Sequence, residues 1–273
     1  MRDLGGRGLR HRRREKALLP AGRHRRRRRR DGRDGLPSPP QGGSRLRLAV
    51  LSDIHGNLTA LEAVLLDITK RGVDGIIHLG DLVGYFPRPN EVVARIRAEG
   101  IDGVIGNYDL AVCHPDPEEA VAKYLKPGIS EKRKQVYYWT RENTSDATRE
   151  YLSKNPAGIY VEEGDRTFLF THGSPEKVNE YLLPEVTDER LSVLFDKSGA
   201  DVLVVGHTHL PMAREVGGNL LLNPGSVGKP KDNDPRSSYM IIDTENGFEA
   251  LHIRVTFDVE SVARDCVLSG LPF

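Results

Sequence analysis

Five short polar clusters in this sequence carry residue types that bind divalent cations, and each follows an apolar run. They are Ser52-Asp53-Ile54-His55-Gly56-Asn57, Gly80-Asp81, Gly106-Asn107-Tyr108-Asp109, Thr171-His172-Gly173 and Gly206-His207-Thr208-His209. Ligands in open α/β sheets bind beyond the carboxyl ends of strands, so clusters at five such places imply one shared site. Asp53 with His55, and His207 with His209, stand two residues apart, a spacing that on an extended segment turns both side chains to one face. The neighbouring glycines lack a Cβ and let backbone approach a ligand closely. Asp53, His55, Asp81, Asn107, His172, His207 and His209 make seven side chains, more than the roughly six one cation takes. A carboxylate shared between two ions makes the number sensible, and ions about 3.5–4 Å apart form a clamp for displacement at phosphorus. Four imidazoles are too many for Mg²⁺ or Ca²⁺, and the absence of nearby thiolates argues against a structural zinc site. Mn²⁺, Fe or Zn²⁺ with positions open to water remain.

The elements that must position these residues alternate between strand and helix signals from Arg45 onward, which argues for an α/β arrangement. Leu46 to Ser52 reads as a buried strand, and Asn57 is a natural helix N-cap followed by Leu61, Val64, Leu65 and Ile68 on one face. A second unit runs from a strand at Gly75–Leu79 to a helix near Asn90–Glu99, and a third strand is expected at Asp102–Ile105. Residues 116–154 are polar and helix-prone, and read as a helical insertion. Strand pairs around Gly158–Glu162 and Thr167–Thr171 follow, then a helix near Asp188–Lys197 and the apolar strand Asp201–Val205. Four further strand candidates extend to Thr256, and a last amphipathic helix starts at Asp258. So many strands in the later half fit two sheets packed face to face, with helices outside, better than a doubly wound sheet.

Charge divides the chain of 273 residues into two chemically different parts. Residues 1–44 carry a local charge of +11 with eight glycines, four prolines and no aromatic residue, so they are expected to be disordered. This stretch reads either as a polybasic arm for nucleic acid or acidic lipid, or as translated upstream sequence of a GC-rich gene. Its longest apolar run, Ala17-Leu18-Leu19, is far short of a signal-peptide core. The remaining residues, 45–273, carry −10 and are read as one domain. No apolar run approaches the roughly 20 residues of a membrane span. Two cysteines, Cys113 and Cys266, are too few for a disulfide framework and fit a reducing cytoplasm.

The order D-x-H-G-N, G-D, G-N-x-D, H-G, G-H-T-H resembles the calcineurin-like metallophosphoesterases over roughly Arg45 to Thr256. Gly80-Asp81-Leu82-Val83-Gly84-Tyr85 and His172-Gly173-Ser174-Pro175 look most like the small bacterial phosphodiesterase-type members. The resemblance implies the metallo-dependent phosphatase fold, a four-layer αββα sandwich of two mixed sheets flanked by helices. It implies a first metal on Asp53, His55, Asp81 and His209 and a second on Asp81, Asn107, His172 and His207, with Asp81 bridging and a metal-bound hydroxide as nucleophile. Two divalent ions are expected, Mn first, with Fe, Zn or Ni as alternatives. The expected activity is hydrolysis of a phosphodiester, phosphoanhydride or phosphomonoester of small size.

One position departs from the family. Many members have histidine in the third block, where it protonates the leaving oxygen; here that residue is Tyr108. A phenol with a reference pKa near 10 can donate a hydrogen bond to phosphate but matches proton transfer at neutral pH poorly. Asn57 and Tyr108 are expected to hold the substrate, with Asp109 beside them, and Arg88 is the best nearby basic residue for phosphate. His78 reads as a core histidine, His252 as structural, and Tyr137, Tyr138 and Trp139 as pinning the insertion to the core. Two other functions compete: a scaffold that has lost catalysis, which the full ligand set argues against, and a nuclease recruited by the basic tail, which the −10 charge argues against.

Overall fold

The computed structural model describes residues 46–125, 128–244 and 248–272, so the arginine-rich stretch 1–44 lies outside the described residues. In chain order the first part contains β1 (Arg47–Leu51), α1 (Leu58–Arg71), β2 (Gly75–His78), α2 (Pro89–Ala98), the two-residue β3 (Asp102–Gly103) and α3 (Asn107–Cys113). Three helices follow without a described strand between them: α4 (Pro117–Tyr124), α5 (Glu131–Asn143) and α6 (Asp146–Leu152). Next are the hairpin β4 (Gly158–Glu163) and β5 (Arg166–Thr171), then α7 (Asp188–Ser198) and β6 (Val202–Val205). β7 (Pro211–Val216), β8 (Asn219–Pro224), β9 (Ser237–Asp243), β10 (Glu249–Val255) and α8 (Val259–Leu268) complete the described chain.

Among the described residues, ten strands form two mixed sheets of five, ordered β10-β9-β1-β2-β3 and β4-β5-β6-β8-β7. The βαβ units set the parallel centres: β1 pairs β2, β2 pairs β3, and β5 pairs β6 in the same direction. Antiparallel strands close each sheet, β9 against β1 and β4 against β5. β3 stops two residues short of the expected strand, because Ile105 donates its N–H to Pro156 outside the sheet.

Strand alternation makes the layers. Leu48 and Val50 of β1 and Val202 and Val204 of β6 meet between the sheets with Phe168, Phe170, Met240 and Ile242. Their neighbours in sequence point outward: Ala49 and Leu51 pack on α1 and α2 through Leu61, Val64 and Ile96, while Leu203 and Val205 pack on α7 through Leu191 and Leu194. Both faces of the central strands are therefore buried, which explains why they read as continuous apolar runs rather than as alternation. The result is helix, sheet, sheet, helix, the four-layer α/β sandwich.

The helices begin where side chains supply the free N–H groups with acceptors. Asn57 accepts from Ala60 at the start of α1, Ser130 from Arg133 at α5, and Asp258 from Ser261 at α8. Tyr137 is fully buried and donates its hydroxyl to the Ala111 carbonyl, which anchors α5 to α3. α8 packs on α5 through Val262 and Cys266 against Val136 and Trp139.

Candidate metal centre

The strands β1, β2, β3, β5 and β6 all deliver their carboxyl ends to one edge of the sandwich, and the loops leaving them carry the seven candidate ligands. Two triads result, each with ligand atoms within 4.8 Å of one another: Asp53, His55 and His209, and Asp81, His172 and His207. Every one of these side chains is buried. The ligands reach the site through left-handed backbone rather than extended alternation: Asp53, His55, Asp81, His207 and His209 have φ of 53°, 54°, 53°, 64° and 63°. That corrects the reason given by the two-residue spacing, though not the convergence. Non-glycine residues in this region carry local strain that the surrounding structure must hold.

Hydrogen bonds decide which atom each ligand presents. Nδ1 of His55 donates to the Val83 carbonyl (3.1 Å), Nδ1 of His172 to Leu79 (2.6 Å) and Nδ1 of His209 to Lys229 (2.6 Å). A carbonyl only accepts, so in each neutral ring the Nε2 is left bare. Asp53 ties Oδ2 to the His207 N–H (3.0 Å) and the Ser52 hydroxyl (2.6 Å) and leaves Oδ1 with no hydrogen-bond partner. Asp81 gives Oδ1 to the Tyr108 N–H (2.7 Å), and its Oδ2 faces His55 at 3.7 Å and His172 at 3.4 Å, one from each triad. Asn107 donates Nδ2 to the Tyr124 carbonyl and turns Oδ1 to within 2.9 Å of His172 Nε2.

Around His55, His209, His207 and Asp53 the site thus collects lone pairs without hydrogens between them. His55 Nε2 and His209 Nε2 face each other at 3.2 Å, and His207 Nε2 is buried without a partner. Left alone these groups repel; divalent cations satisfy them, and imidazole, carboxylate and amide oxygen together suit first-row transition ions. Proton affinities point the same way. Burial, then the neighbouring imidazoles, holds His55 and His207 well below the ordinary histidine value, and burial takes His209 down to about 4. At His172 burial also lowers the pKa, but the Asp81 and Asp53 carboxylates outweigh it and push it up to about 9, as expected of a ring that needs a positive charge between itself and Asp81.

A calcineurin-like phosphoesterase domain model matches residues 46–247. The chain belongs to that superfamily. The chain is 34% identical over 242 residues to uncharacterized protein MJ0912 of Methanocaldococcus jannaschii, covering 82% of this chain and 93% of that one. It is 30% identical over 210 residues to phosphodiesterase YfcE of Escherichia coli, covering 73% and 89%. Among solved structures it resembles a metallophosphoesterase from Sphaerobacter thermophilus with a TM-score of 0.67, 31% identity and coverage of 84% and 96%.

Around the paired triads the chain places the other expected site residues unevenly. Tyr108 lies at the centre, its ring 5.3 Å from His55 and 4.9 Å from Tyr85. Burial and Tyr85 push its hydroxyl well above the usual phenol range. Asp109 is fully buried and accepts from Leu82, Val83 and Gly106 N–H groups at 3.0, 3.2 and 3.1 Å, so it braces the Asp81 loop against the Asn107 loop. Asn57 uses its amide structurally, accepting from Ala60 and donating to Gly228. Arg88 turns its guanidinium to Asp265 of α8 and to Glu91. His78 is buried with its pKa lowered to about 3 by burial and then by His172, and His252 donates to the Asn223 carbonyl.

Sequence reasoning missed three groups. Tyr85 lies edge-on to His55 at 4.7 Å, and Tyr181 lies tilted against His207 at 4.0 Å between ring centroids. Lys229 lies over the Tyr85 ring at 3.7 Å from its centroid. The segment from Asn223 to Gly228 is a strut: Asn223 donates to Gly206 and Thr208, Ser226 donates to the Asp53 carbonyl, and Gly228 donates to the same carbonyl. The sequence marks this segment only by the turn-forming run Asn223-Pro224-Gly225-Ser226.

Proposed function

We propose that this phosphoesterase hydrolyses a small phosphate ester or phosphoanhydride with two divalent cations, Mn²⁺ foremost, held by Asp53, His55, Asp81, Asn107, His172, His207 and His209. The observation that carries the reading is the buried pair of bare Nε2 atoms of His55 and His209 facing each other, with His207 Nε2 and Asp53 Oδ1 buried beside them without a hydrogen-bond partner. Bound cations supply charge withdrawal from phosphoryl oxygens and lower the pKa of a water. The chain's own part is to fix that pair. Asp81 Oδ2 is the oxygen that faces a histidine of each triad, because Oδ1 is committed to Tyr108 N–H. Asp109 acts as a positioning residue through the Asp81 loop, and carbonyls behind the histidines orient each ring.

Tyr108, its ring beside His55, keeps a neutral hydroxyl and, with its raised pKa, gives little proton to a leaving oxygen. The reading therefore favours substrates whose leaving group needs no proton, aryl phosphates and phosphoanhydrides, among the classes a YfcE-like phosphodiesterase would take. The catalytic unit is assigned to residues 45–273, and complete ligation stands against a scaffold without catalysis. No described helix is long and apolar enough to cross a membrane. The thiols of Cys113 and Cys266 are free, which supports a reducing cytoplasm.

Metal analysis of the purified chain followed by turnover of bis(p-nitrophenyl) phosphate tests the reading. Two divalent ions per chain and faster hydrolysis with Mn²⁺ than with Mg²⁺ are expected. Protein that holds no more than one ion and turns over no ester with any added metal refutes it.

A further inference from the structure

Among the described residues, Tyr181 is the exposed large apolar side chain that touches a candidate metal ligand. Its ring lies 4.0 Å from that of His207, tilted by 42°, and 39% of the residue is open to solvent. Core packing does not put it there: Tyr181 belongs to none of the apolar clusters, and among the described residues its hydroxyl has no hydrogen-bond partner. Its chain neighbours, by contrast, are pinned. Glu180 accepts from the Arg190 guanidinium at 2.8 and 2.7 Å and from the Ser174 hydroxyl, and Leu182 is buried in one cluster with Leu191 and Leu194 of α7. Asn179 donates Nδ2 to the Lys123 carbonyl at 3.1 Å, and a Cβ on Gly173 would lie 2.4 Å from the Val178 carbonyl oxygen, so the loop after His172 folds back on its own start. Backbone fixed on both sides of Tyr181 holds the ring out over His207. Tyr85, at the other triad, differs: its ring is enclosed by His55 at 4.7 Å, Tyr108 at 4.9 Å and the Lys229 ammonium at 3.7 Å. An aromatic ring held rigidly and left open is surface kept for another group, because a ring of this kind gains most when it is packed.

The scissile phosphate belongs to the paired triads, and His207 Nε2 is buried there without a partner. A ring 4.0 Å from His207 therefore stands beside whatever is carried on that phosphorus. We propose that Tyr181 is the platform for a flat aromatic group of the substrate, an aryl group or a nucleobase, and so determines which esters are preferred. The proposal rests on the phosphoesterase reading for the location of the phosphate. It is separate from the argument on Tyr108: that residue selects by how readily a leaving group departs, and Tyr181 by whether the group is flat and aromatic. A saturated ring of like size fills the same space but lacks the face that stacks.

Phosphonates test this without turnover, because a carbon–phosphorus bond leaves no ester to hydrolyse. Calorimetric dissociation constants are measured on the Mn²⁺-loaded full chain for two pairs: phenylphosphonate with cyclohexylphosphonate, and the phosphonate analogue of AMP with that of ribose 5-phosphate. In at least one pair the aromatic member should bind at least about fivefold tighter, the contribution of one aromatic contact. The first pair alone marks an aryl ester, the second alone a nucleotide. Tyr181→Leu should cut that ratio at least about threefold, and Tyr181→Phe, which keeps the ring, should retain it. If Tyr181 only shields His207 from water, Tyr181→Leu weakens both members of a pair alike and leaves the ratio in place, which overturns the proposal. Wild-type ratios near one, a protein that binds none of the four ligands, or a Tyr181→Phe that loses the ratio as fully as Tyr181→Leu also overturn it. Where Tyr181→Leu folds poorly, Tyr181→Trp decides: its indole emission should be quenched by the aromatic member of the preferred pair and not by the saturated one, and equal emission with both overturns the proposal. Hydrolysis of bis(p-nitrophenyl) phosphate with ratios near one would keep the phosphoesterase reading and remove the platform. A ratio that Tyr181→Leu abolishes, in a protein that hydrolyses no ester, would do the reverse.

Discussion

At the scale of single residues, Asp81 and Tyr108 make the sharpest claims. Asp81 Oδ2 faces a histidine of each triad, so Asp81→Ala removes a ligand from both proposed ions. Metal content should fall below one ion per chain and turnover by at least about a hundredfold, given that even outer partners of metal ligands are worth about 10–100-fold. Near-normal metal content in that variant would break the dinuclear assignment. Tyr108 carries a different prediction, because assistance by a matched general acid is worth about 10²–10⁴ in rate. Its hydroxyl is held well above the ordinary phenol pKa by burial and Tyr85, so rates should depend steeply on leaving-group pKa. Tyr108→His should flatten the slope by speeding alkyl esters, and Tyr108→Phe should weaken binding while leaving the slope alone. A flat wild-type slope across a series of aryl and alkyl esters would assign the acid to another group. These residues were legible because their types are rare in apolar surroundings and recur after each strand. The roles of Asn57 and Arg88 were less so: an amide or guanidinium beside a site has the same letter whether it binds substrate or, as here, Gly228 and Asp265.

At the scale of elements, loops rather than strands do the positioning, and glycines set how closely those loops pass. A Cβ on Gly106 would lie 2.1 Å from Asp81 Oδ1 and 2.2 Å from the Asp81 nitrogen, and one on Gly206 would lie 2.0 Å from the Ser52 hydroxyl and 3.0 Å from Asp53 Oδ2. Gly106→Ala should therefore displace the Asp81 loop without altering any ligand. Forced overpacking of this kind costs about 1–3 kcal/mol, equal to a melting temperature lower by several degrees in a chain of this size. Metal affinity should fall with it; a variant with wild-type affinity for Mn²⁺ by calorimetry would mean the loop contact is dispensable. The alternation of strand and helix was readable from hydrophobic period. The left-handed backbone at Asp53, His55, Asp81, His207 and His209 was not, since only glycine announces that conformation in a sequence. In the sequence, Asn223-Pro224-Gly225-Ser226 is a strong turn signal, and its bracing role is not legible there because its hydrogen bonds go to residues about 170 positions away, such as Ser226 to Asp53.

At the scale of the whole molecule, folding buries imidazoles in neutral form. His55 and His207 are held well below the ordinary value, His209 near 4 and His78 near 3, all chiefly by burial. Unfolded, each takes a proton near pH 6.5, so below that pH the unfolded chain binds more protons and stability falls as pH falls. Each such proton changes stability by about 1.4 kcal/mol per pH unit. Asp109 opposes this, because burial and then Asp81 raise its carboxyl to about 7 and the folded state holds its proton first, but four rings outweigh one carboxyl. His172, raised to about 9 against the effect of burial by Asp81, adds stability that is fully present below pH 6.5 and lost as pH rises through 9. The metal-free protein should therefore melt at steadily lower temperature from pH 6.5 to 4 in calorimetry. A melting temperature constant over that range would contradict the neutral burial of these rings.

Two packed sheets with helices outside, and seven candidate ligands at strand ends, were legible in local pattern, because apolar runs of strand length each end in a ligand-type cluster. The family and its four-layer arrangement were legible through the resemblance of the ordered blocks. Sequence order alone assigned ligands to strands. The folded chain decided what local pattern does not encode, namely which oxygen of Asp53 and Asp81 stays open, which nitrogen of each histidine is bare, and which distant residues crowd the rim. Those choices depend on backbone carbonyls and N–H groups, which every residue carries alike and which only tertiary contact tells apart.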